Sequence, residues 1–220
     1  MTTVSIHQPN FLPWLGFFRK IVSSDLYVVL DHIQPSLSPD FLNRVMLQGV
    51  KGNYWLTLPI AKTERRKPIS SIEIDLEICK EHMVRHIDGH FGKSGEYFSR
   101  VIEEQEGYRR LIDLNLELIG KIGEMMDLRL PAIVRSSELE ILATDKTLAL
   151  IEILKKVDAS SYLTGIGSRN YLDVDEFQKH GIKVEIRDFL KEVAARYSKP
   201  QCSALQYIIE SQTAYPLHWQ

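Results

Sequence analysis

The chain has 220 residues, of which 44% are hydrophobic and 25% are charged, and its formal net charge is −2. This composition is ordinary for a globular protein that is long enough to bury one sizeable core. The near-neutral charge excludes a global electrostatic attraction to nucleic acid or to an anionic membrane. The two cysteines, Cys79 and Cys202, are far apart in the sequence, so we expect no disulfide framework and a reducing compartment.

The sequence shows neither a secretory leader nor a membrane span. The N-terminus lacks a basic region followed by a long apolar core. No apolar stretch approaches the roughly 18 residues that are needed to cross a bilayer. We therefore expect a cytoplasmic protein.

The N-terminal segment predicts a strand, a loop, a helix and a second strand within one short unit. The predicted elements are a strand over Thr3–Gln8, an amphipathic helix over Trp14–Ser24 and a strand over Leu26–Leu30. His7 and Gln8 end the first strand, and Asp31 follows the second. Because the carboxyl ends of parallel strands form the ligand crevice of α/β sheets, this segment indicates both a fold class and a site.

The rest of the chain alternates strand-like and helical segments around a helical middle. The strand-like segments are Arg44–Gln48 with Tyr54–Ile60 (a hairpin), Ile69–Asp75 (an edge strand), Ala132–Arg135, Tyr162–Thr164 and Lys183–Ile186. The helical segments are 77–128, Asp145–Val157 with Thr144 as its N-cap, Val174–Lys179 and Ala204–Gln212.

This alternation predicts a single α/β domain over residues 1–220. We expect a Rossmann-like, mostly parallel sheet flanked by helices, with one β-hairpin. The helical middle, about residues 77–128, is predicted to be an insertion in the domain or a cover over the sheet.

His7 and Asp31 are the first candidates for chemistry. A histidine at a strand end can act as a general base or donate to a phosphate, and the adjacent Gln8 amide can bind a ligand edge. Asp31 can bind a ribose or an amine, orient His7 or hold a metal. The structural alternatives are a histidine that caps its own loop and an aspartate that starts a turn.

Asn43 and Arg44 are candidates for substrate binding on the predicted hairpin. The planar guanidinium of Arg44 suits a carboxylate or a phosphate, and the alternative is a surface salt bridge. The basic cluster Lys62–Lys67 is either a further phosphate contact or a solvated loop between two strands.

A second concentration of candidates follows the predicted strand Tyr162–Thr164. Glycines allow a close approach of the backbone to a ligand, and loop amides can surround an anion. The candidate substrate-binding residues are Tyr162, Gly165, Gly167, Ser168 and Tyr171. The segment is neither a P-loop, since it lacks the Gly-Lys-Ser/Thr ending, nor a dinucleotide fingerprint, since it lacks the third glycine.

Two further features compete with these candidates. His82, His86 and His90 are spaced to share one helical face, which suits either a metal or a solvated or packing face. We assign no metal site, because no further ligand is specified and Gly89 weakens the helix. Cys202-Ser203 lacks a base at a defined spacing for nucleophilic catalysis.

Taken together, these motifs resemble the WbqC-like family of bacterial proteins. The matching pieces are Ile6-His7-Gln8-Pro9-x-x-Leu12-Pro13, Asp25-x-Tyr27-Val28-x-Leu30-Asp31, Asn43-Arg44, Trp55-Leu56-Thr57-x-Pro59, Thr144-Asp145 and Tyr162-Leu163-x-Gly165-x-Gly167-x-x-x-Tyr171-Leu172. They follow one another over most of the chain, and the first and last are the most specific. The helical middle contributes little to the resemblance.

The resemblance implies an enzyme of surface polysaccharide (O-antigen) biosynthesis. Its expected reaction transfers an acyl or aminoacyl group, such as glycyl, to an amino sugar or a nucleotide-linked amino sugar. The cofactor is not specified, and the reaction implies an activated acyl donor, which is acyl-CoA, a carrier-bound acyl group or aminoacyl-tRNA. We expect no stable nucleic-acid partner, and a homo-oligomer remains open.

Two alternatives stand beside this expectation. The strand-loop-helix-strand opening is similar to that of nucleotidylyltransferase-type α/β folds, which implies ATP-dependent nucleotidylyl transfer or carboxylate activation. Those proteins begin their helix with an H-x-G-H motif, whereas this chain has Trp14-Leu15-Gly16-Phe17, with the glycine and without the histidines. The other alternative is a non-catalytic subunit that binds a sugar nucleotide.

Overall fold

The computed structural model of the chain describes residues 1–35, 41–49 and 52–211. The strands are β1 (Thr3–His7), β2 (Leu26–Val29), β3 (Arg44–Gly49), β4 (Gly52–Thr57), β5 (Ala132–Arg135), β6 (Ser161–Gly165) and β7 (Lys183–Arg187). The α-helices are α1 (Leu15–Val22), α2 (Leu76–Phe91), α3 (Glu96–Glu103), α4 (Leu111–Met125), α5 (Lys146–Lys156), α6 (Val174–Lys179), α7 (Phe189–Ala194) and α8 (Ala204–Ser211).

The chain divides into two compact units, each assembled from separate segments. The first unit comprises Met1–Gln8, Gly16–His32 and Arg129–Ser198. The second unit comprises Pro9–Leu15, Ile33–Leu128 and Lys199–Gln220. A single domain over residues 1–220 stays a prediction.

The first unit contains a parallel five-stranded sheet in the order β5-β2-β1-β6-β7. Numbered by appearance within this sheet, the order is 3-2-1-4-5, which is that of Rossmann-type folds. The chain runs outward from β1 to β2 and β5, and then returns to the other side of β1 with β6 and β7. The predicted α/β class with a mostly parallel, helix-flanked sheet is confirmed.

The sheet is stabilised by apolar side chains that its strands and helices bury together. Val4, Ile6 and Val28 from the strands pack in one cluster with Leu154 of α5 and Phe177 of α6. The strands of a parallel sheet read as near-continuous apolar runs because helices cover their faces. This burial explains why the short strands were recognisable in the sequence.

The second unit combines a hairpin with helices. Strands β3 and β4 pair antiparallel in the register Arg44↔Thr57 to Gly49↔Gly52, as the sequence predicts. Helix α4 buries the apolar stripe that its spacing predicts, including Leu111, Leu118 and Ile122. The predicted helical middle is thus confirmed as helical.

A buried asparagine on α4 connects two loops of the second unit. Asn115 is fully buried, and its Nδ2 donates to the carbonyl oxygens of Pro9 and Leu42, each at 2.8 Å. Loop carbonyls that lose water need such partners, since an unpaired buried polar group costs about 1–3 kcal/mol.

The predicted edge strand at Ile69–Asp75 is wrong. Ile69–Ser71 forms a 3₁₀ helix, and Asp75 is the N-cap of α2, where its carboxylate accepts from Ile78 N. Ile69 and Ile72 are both fully buried and three residues apart, which is the period of a 3₁₀ turn and not that of a strand. The alternation of apolar and polar residues from Ile72 onward resembled that of a strand in composition only.

The predicted N-cap of α5 is also wrong by one residue. Asp145 and not Thr144 caps this helix, because the Asp145 carboxylate accepts a hydrogen bond of 3.0 Å from Leu148 N. Both residue types are good N-caps, so composition alone did not separate them.

Several predicted elements fall partly outside the described residues. These are the loop positions Ser36, Ser38 and Pro39, the hairpin turn at Val50 and Lys51, and the chain from Gln212 onward. Across the described ranges, no helix is both long enough and apolar enough to cross a membrane.

We expect Asp145→Ala to lower the free energy of unfolding by about 1 kcal/mol, because it removes a capping hydrogen bond. Thr144→Ala is the matched control, since Thr144 is exposed and lies one residue before the cap. It should change the free energy of unfolding by less than about 0.5 kcal/mol. Urea denaturation of both variants measures the difference, and an equal loss in the two would contradict the Asp145 cap.

Candidate functional site

In the first unit, β1 and β6 stop pairing before the carboxyl edge of the sheet, and the interval between the two strands beyond Ser5 and Leu163 is called the crevice here. The pairing of β1 with β6 ends at Ser5↔Leu163, whereas β1 stays paired with β2 as far as His7↔Val29. Strand β6 continues to Gly165 with only β7 as its partner. The two central strands therefore separate at the point where the chain changes direction across the sheet, which is where open α/β sheets bind ligands.

His7 lies at the end of β1 on one side of this crevice, as the sequence predicts. Its Nδ1 lies 2.9 Å from the carbonyl oxygen of Gln8. A carbonyl oxygen only accepts, so Nδ1 carries the proton and Nε2 carries the lone pair of the neutral ring. His7 is partly buried and meets the ring of Phe17 edge-on, with ring centroids 5.5 Å apart.

The main chain beside His7 is held by a tyrosine from the neighbouring strand. Tyr27 is fully buried in β2, and its hydroxyl is shared between the carbonyl oxygens of His7, at 3.2 Å, and Gln8, at 3.3 Å. Gln8 thus contributes its carbonyl oxygen to both contacts, and its amide side chain is partly exposed.

The electrostatic surroundings keep the His7 ring neutral. Burial, followed by the nearby Lys20 ammonium, lowers the pKa of His7 from 6.5 to about 3, and the hydrogen bond to Gln8 opposes this only in part. At neutral pH, the imidazole is therefore in the form that accepts a proton.

Lys20 is a functional candidate that reasoning from the sequence missed. It lies on α1 and is only 5% exposed, and its Nζ donates to the carbonyl oxygen of Ile6 at 2.8 Å. Burial lowers the pKa of this amine from 10.5 to about 7. The available signal was its position in the apolar stripe of the helix, three residues after Phe17 and one before Ile21.

Asp31 is fully buried just beyond the end of β2. Its carboxylate accepts from Arg135 Nε at 2.8 Å, from Ser136 Oγ at 3.1 Å, and from the backbone nitrogen and hydroxyl of Ser137, both at 2.8 Å. Ser136 Oγ in turn accepts from Asp31 N. The carboxylate thus joins the carboxyl ends of β2 and β5, while the imidazole of His7 has its partner in Gln8.

The candidates that follow β6 separate into core, loop and surface positions. Tyr162 is in the apolar core, where its ring stacks on Phe177 at 5.7 Å. The loop after Gly165 is a 3₁₀ helix over Ile166–Asn170, in which Ser168 Oγ donates to Gly165 O at 2.8 Å. Tyr171 is 57% exposed at its end.

The space around Gly165 and Gly167 does not require glycine at either position. A Cβ added at Gly167 would meet nothing within 4 Å, and one at Gly165 would make only an ordinary contact with Phe189 at 3.9 Å. Their value to a ligand would therefore lie in exposed backbone amides and not in a tight fit.

An arginine pair lies at the end of β7. Arg187 bonds the Glu192 carboxylate twice, at 2.9 and 2.7 Å, and Arg19 of α1 bonds the same carboxylate at 2.9 Å. Two arginines thus share one carboxylate at this end of β7. None of these three residues was a candidate in the sequence.

Asn43 and Arg44 belong to the second unit. Asn43 is buried, where its Nδ2 donates to Leu58 O at 2.9 Å and its Oδ1 accepts from Arg65 at 2.6 Å. The guanidinium of Arg44 lies 4.4 Å from the centroid of the Trp55 ring, which is 44% exposed. The amide of Asn43 is therefore engaged in the fold, and Arg44 forms an aromatic pair at the surface.

The three helical histidines pack against each other and against the hairpin. The rings of His82 and His86 lie 4.5 Å apart, and His90 lies 3.9 Å from the ring of Tyr54. No cluster of metal-ligating side chains forms within the described part of the chain. Cys79 and Cys202 are buried free thiols, and burial raises the pKa of both.

The chain has a curated relative that matches most of its length. A curated relative from Mycobacterium tuberculosis, named "Uncharacterized protein Rv1507c", is 26% identical over 197 residues, which cover 86% of this chain and 83% of the relative. Among solved structures, a Zn(II)-bound AdcAII variant of Streptococcus pneumoniae covers 96% of this chain and 97% of its own, at 10% identity. Its TM-score of 0.22 is too low to indicate a shared fold.

A family model extends over nearly the whole chain. It matches residues 8–203, a span that includes the crevice side chains of the first unit from Gln8 onward and the hairpin of the second. This span covers more than half of the 220 residues. The chain belongs to the WbqC-like protein family.

Proposed function

We propose that this protein is an acyl- or aminoacyltransferase of bacterial surface polysaccharide (O-antigen) biosynthesis, acting in the cytoplasm. It transfers a group such as glycyl from an activated donor to an amino sugar or a nucleotide-linked amino sugar. The observation that carries the proposal is the neutral His7 ring at the crevice, with its proton on Nδ1 and its lone pair on Nε2. Family membership supports the choice of pathway.

Acyl transfer requires one group that accepts a proton from the attacking amine. The sugar amine nitrogen forms a bond to the acyl carbon, and the bond from that carbon to the leaving group of the donor breaks. Nε2 of His7 takes the proton that the amine loses, and then gives it to the leaving group. A pKa of about 3, caused mainly by burial and then by Lys20, makes His7 a weak base, and a bound anion that offsets the Lys20 charge raises this pKa only in part.

Charge at the carboxyl edge supports an anionic substrate. Lys20 is a buried amine without a carboxylate partner among the described residues, and the guanidinium groups of Arg19 and Arg187 lie together at the end of β7 around Glu192. A nucleotide-linked sugar carries a diphosphate that such a surface attracts. In this proposal the amides of the Gly165–Gly167 segment provide further donors to the same group.

Asp31 acts in this proposal as an anchor of the crevice and not as a proton carrier. Its carboxylate oxygens are already engaged with Arg135, Ser136 and Ser137. Asn43 and Arg44 lie in the second unit, and their contact with substrate stays a prediction.

The strand order 3-2-1-4-5 supports a second candidate, since nucleotides bind at the switch point of such sheets. In this alternative the crevice binds ATP, and the protein activates a carboxylate or transfers a nucleotidyl group with release of pyrophosphate. A sugar-nucleotide-binding subunit without catalysis is the third candidate.

Incubation of the purified protein with amino-sugar nucleotides and activated donors separates the three candidates. The donors are acyl-CoA, acyl carrier protein and aminoacyl-tRNA, each tested with and without ATP, and products are detected by mass spectrometry. A sugar nucleotide that gains one acyl group supports transfer. Pyrophosphate release that depends on ATP supports activation, and binding without turnover supports the non-catalytic subunit.

His7→Asn tests whether His7 is the base of the reaction. The Asn amide can keep a donor toward Gln8 O, but it has no basic nitrogen. Turnover should fall by about 10²–10⁴-fold. His180→Asn is the matched control, since His180 follows α6 and precedes the amino end of β7, at the opposite edge of the sheet. Undiminished turnover in a folded His7→Asn protein would exclude His7 as the base.

We expect Asp31→Asn to affect stability more than turnover, because it removes the charge of a fully buried carboxylate that pairs with the partly exposed Arg135. Removing one partner of a buried ion pair costs about 3–5 kcal/mol, which denaturant unfolding would detect. The matched control is Asp88→Asn, an exposed carboxylate that accepts from Ser99. A stable Asp31→Asn protein that has lost turnover would instead make Asp31 a catalytic group.

A further inference from the structure

Lys20 is a buried amine that has no role in the proposed proton transfer. Its side chain is 5% exposed, and its ammonium donates one hydrogen bond, to the carbonyl oxygen of Ile6. An ammonium has three donors, so two remain for other partners. No carboxylate lies within ion-pair distance of Nζ among the residues that the structure describes. Burial of an unpaired cation is costly, which makes this placement unusual for a structural lysine.

The position of Ile6 shows where the Lys20 ammonium lies in the sheet. Ile6 follows Ser5, the last residue of β1 that pairs with β6, so Lys20 bonds the first main-chain carbonyl beyond that pairing. The ammonium therefore lies at the inner end of the crevice that opens between these strands. His7 is the next residue along β1, and Lys20 acts electrostatically on its ring.

Within residues 1–35, 41–49 and 52–211, the charged groups around Lys20 offer no counter-ion. On its own helix the neighbour is Arg19, another cation, and the Glu192 carboxylate that pairs with Arg19 is shared with Arg187 of β7. From β1 the facing titratable group is His7, which is neutral near pH 7, and from β2 it is the protonated phenol of Tyr27. The Asp31 carboxylate is already bound to Arg135.

We infer that Lys20 is the anion-binding group of this crevice. Its ammonium pairs with a phosphoryl group of the substrate, and formation of the pair takes up a proton near neutral pH. The inference deepens the proposed function and rests on it for placing a substrate in the crevice. The phosphoryl group belongs either to a nucleotide sugar or to the acyl donor.

The expected proton uptake follows from the protonation state of Lys20 in the unliganded protein. With a pKa of about 7, Lys20 is only partly charged at neutral pH. A phosphoryl anion at Nζ favours the charged form and raises the pKa, so the amine gains a proton on binding. Burial is the main cause of the low pKa of His7, and the same anion offsets the second cause, the Lys20 charge, so it raises that pKa in part.

The lowered pKa of Lys20 predicts that the stability of the unliganded protein depends on pH. Because the pKa of Lys20 is lowered by folding, the unfolded chain binds more protons between pH 7 and pH 10.5, and stability rises with pH across this window. Lys20→Met removes this cost, so its melting temperature should exceed that of the wild type at about pH 6. The excess should shrink as the pH approaches about 10.

Lys179→Met is the matched control for this measurement. Lys179 is exposed and pairs with Glu176 at 2.8 Å, so its replacement should leave the pH dependence of the melting temperature unchanged. A melting curve of Lys20→Met that parallels the wild type at every pH would contradict a buried, proton-releasing amine.

Titration calorimetry with inorganic pyrophosphate tests the anion site itself. Binding is measured at pH 7 in two buffers of different ionisation enthalpy, which reports the protons taken up by the complex. We expect uptake of roughly half a proton in the wild type, since Lys20 is about half charged there. Lys20→Met should abolish the uptake and weaken binding by about tenfold or more.

Uridine diphosphate and coenzyme A serve as further probes that distinguish the two sources of the phosphoryl group. Proton uptake that depends on Lys20 with uridine diphosphate places a nucleotide sugar at Lys20, and the same result with coenzyme A places the donor there. Binding of none of the three probes, or binding without proton uptake, would overturn the inference. So would equal affinity and uptake in Lys20→Met.

The two proposals fail in different ways. Proton uptake that depends on Lys20, in a protein without acyl transfer to any amino sugar, would refute the proposed function and leave the anion site in place. Acyl transfer by Lys20→Met with an unchanged KM for both substrates would refute the anion site and leave the proposed function in place.

Discussion

The first unit depends on the separation of its two central strands. Strand β1 pairs with β6 only as far as Ser5, and each strand then continues beside its outer neighbour alone. A parallel sheet satisfies its carbonyls by pairing, so strands that part leave main-chain oxygens in need of other donors. Lys20 supplies such a donor at Ile6 O, whereas His7 O accepts from Leu30 N and additionally from the Tyr27 hydroxyl. The side chain that satisfies the Ile6 carbonyl is thus also an ionisable amine beside the gap.

A second constraint holds the neighbouring strands together. The buried Asp31 carboxylate joins the ends of β2 and β5 through Arg135, Ser136 and Ser137. A buried carboxylate is stable only where its oxygens are hydrogen-bonded and its charge is matched, and this arrangement satisfies both conditions. The crevice therefore has a hydrogen-bonded side next to β2, and on its other side β6 ends at Gly165, where the loop begins.

Local patterns in the sequence predicted the elements better than their arrangement. The end of β1 was recognisable because an apolar run stops at His7, and a proline follows Gln8. The strand order was not, because it is set by contacts between segments far apart in the chain. The partners of Asp31 lie more than a hundred residues away, so no spacing could indicate them. Lys20 was missed because a lysine in the last turn of a helix is ordinarily a solvated residue that favours the helix dipole.

The contact between His7 Nδ1 and Gln8 O has a consequence for how such a base can change. In many enzymes a carboxylate side chain selects the histidine tautomer, so one substitution can reverse it. Here the selecting atom is a main-chain oxygen, which every residue at position 8 retains. The tautomer of His7 is therefore a property of the turn and not of a neighbouring side chain. The side chain at position 8 can therefore change to suit a ligand. Such a change does not alter which nitrogen of His7 is basic.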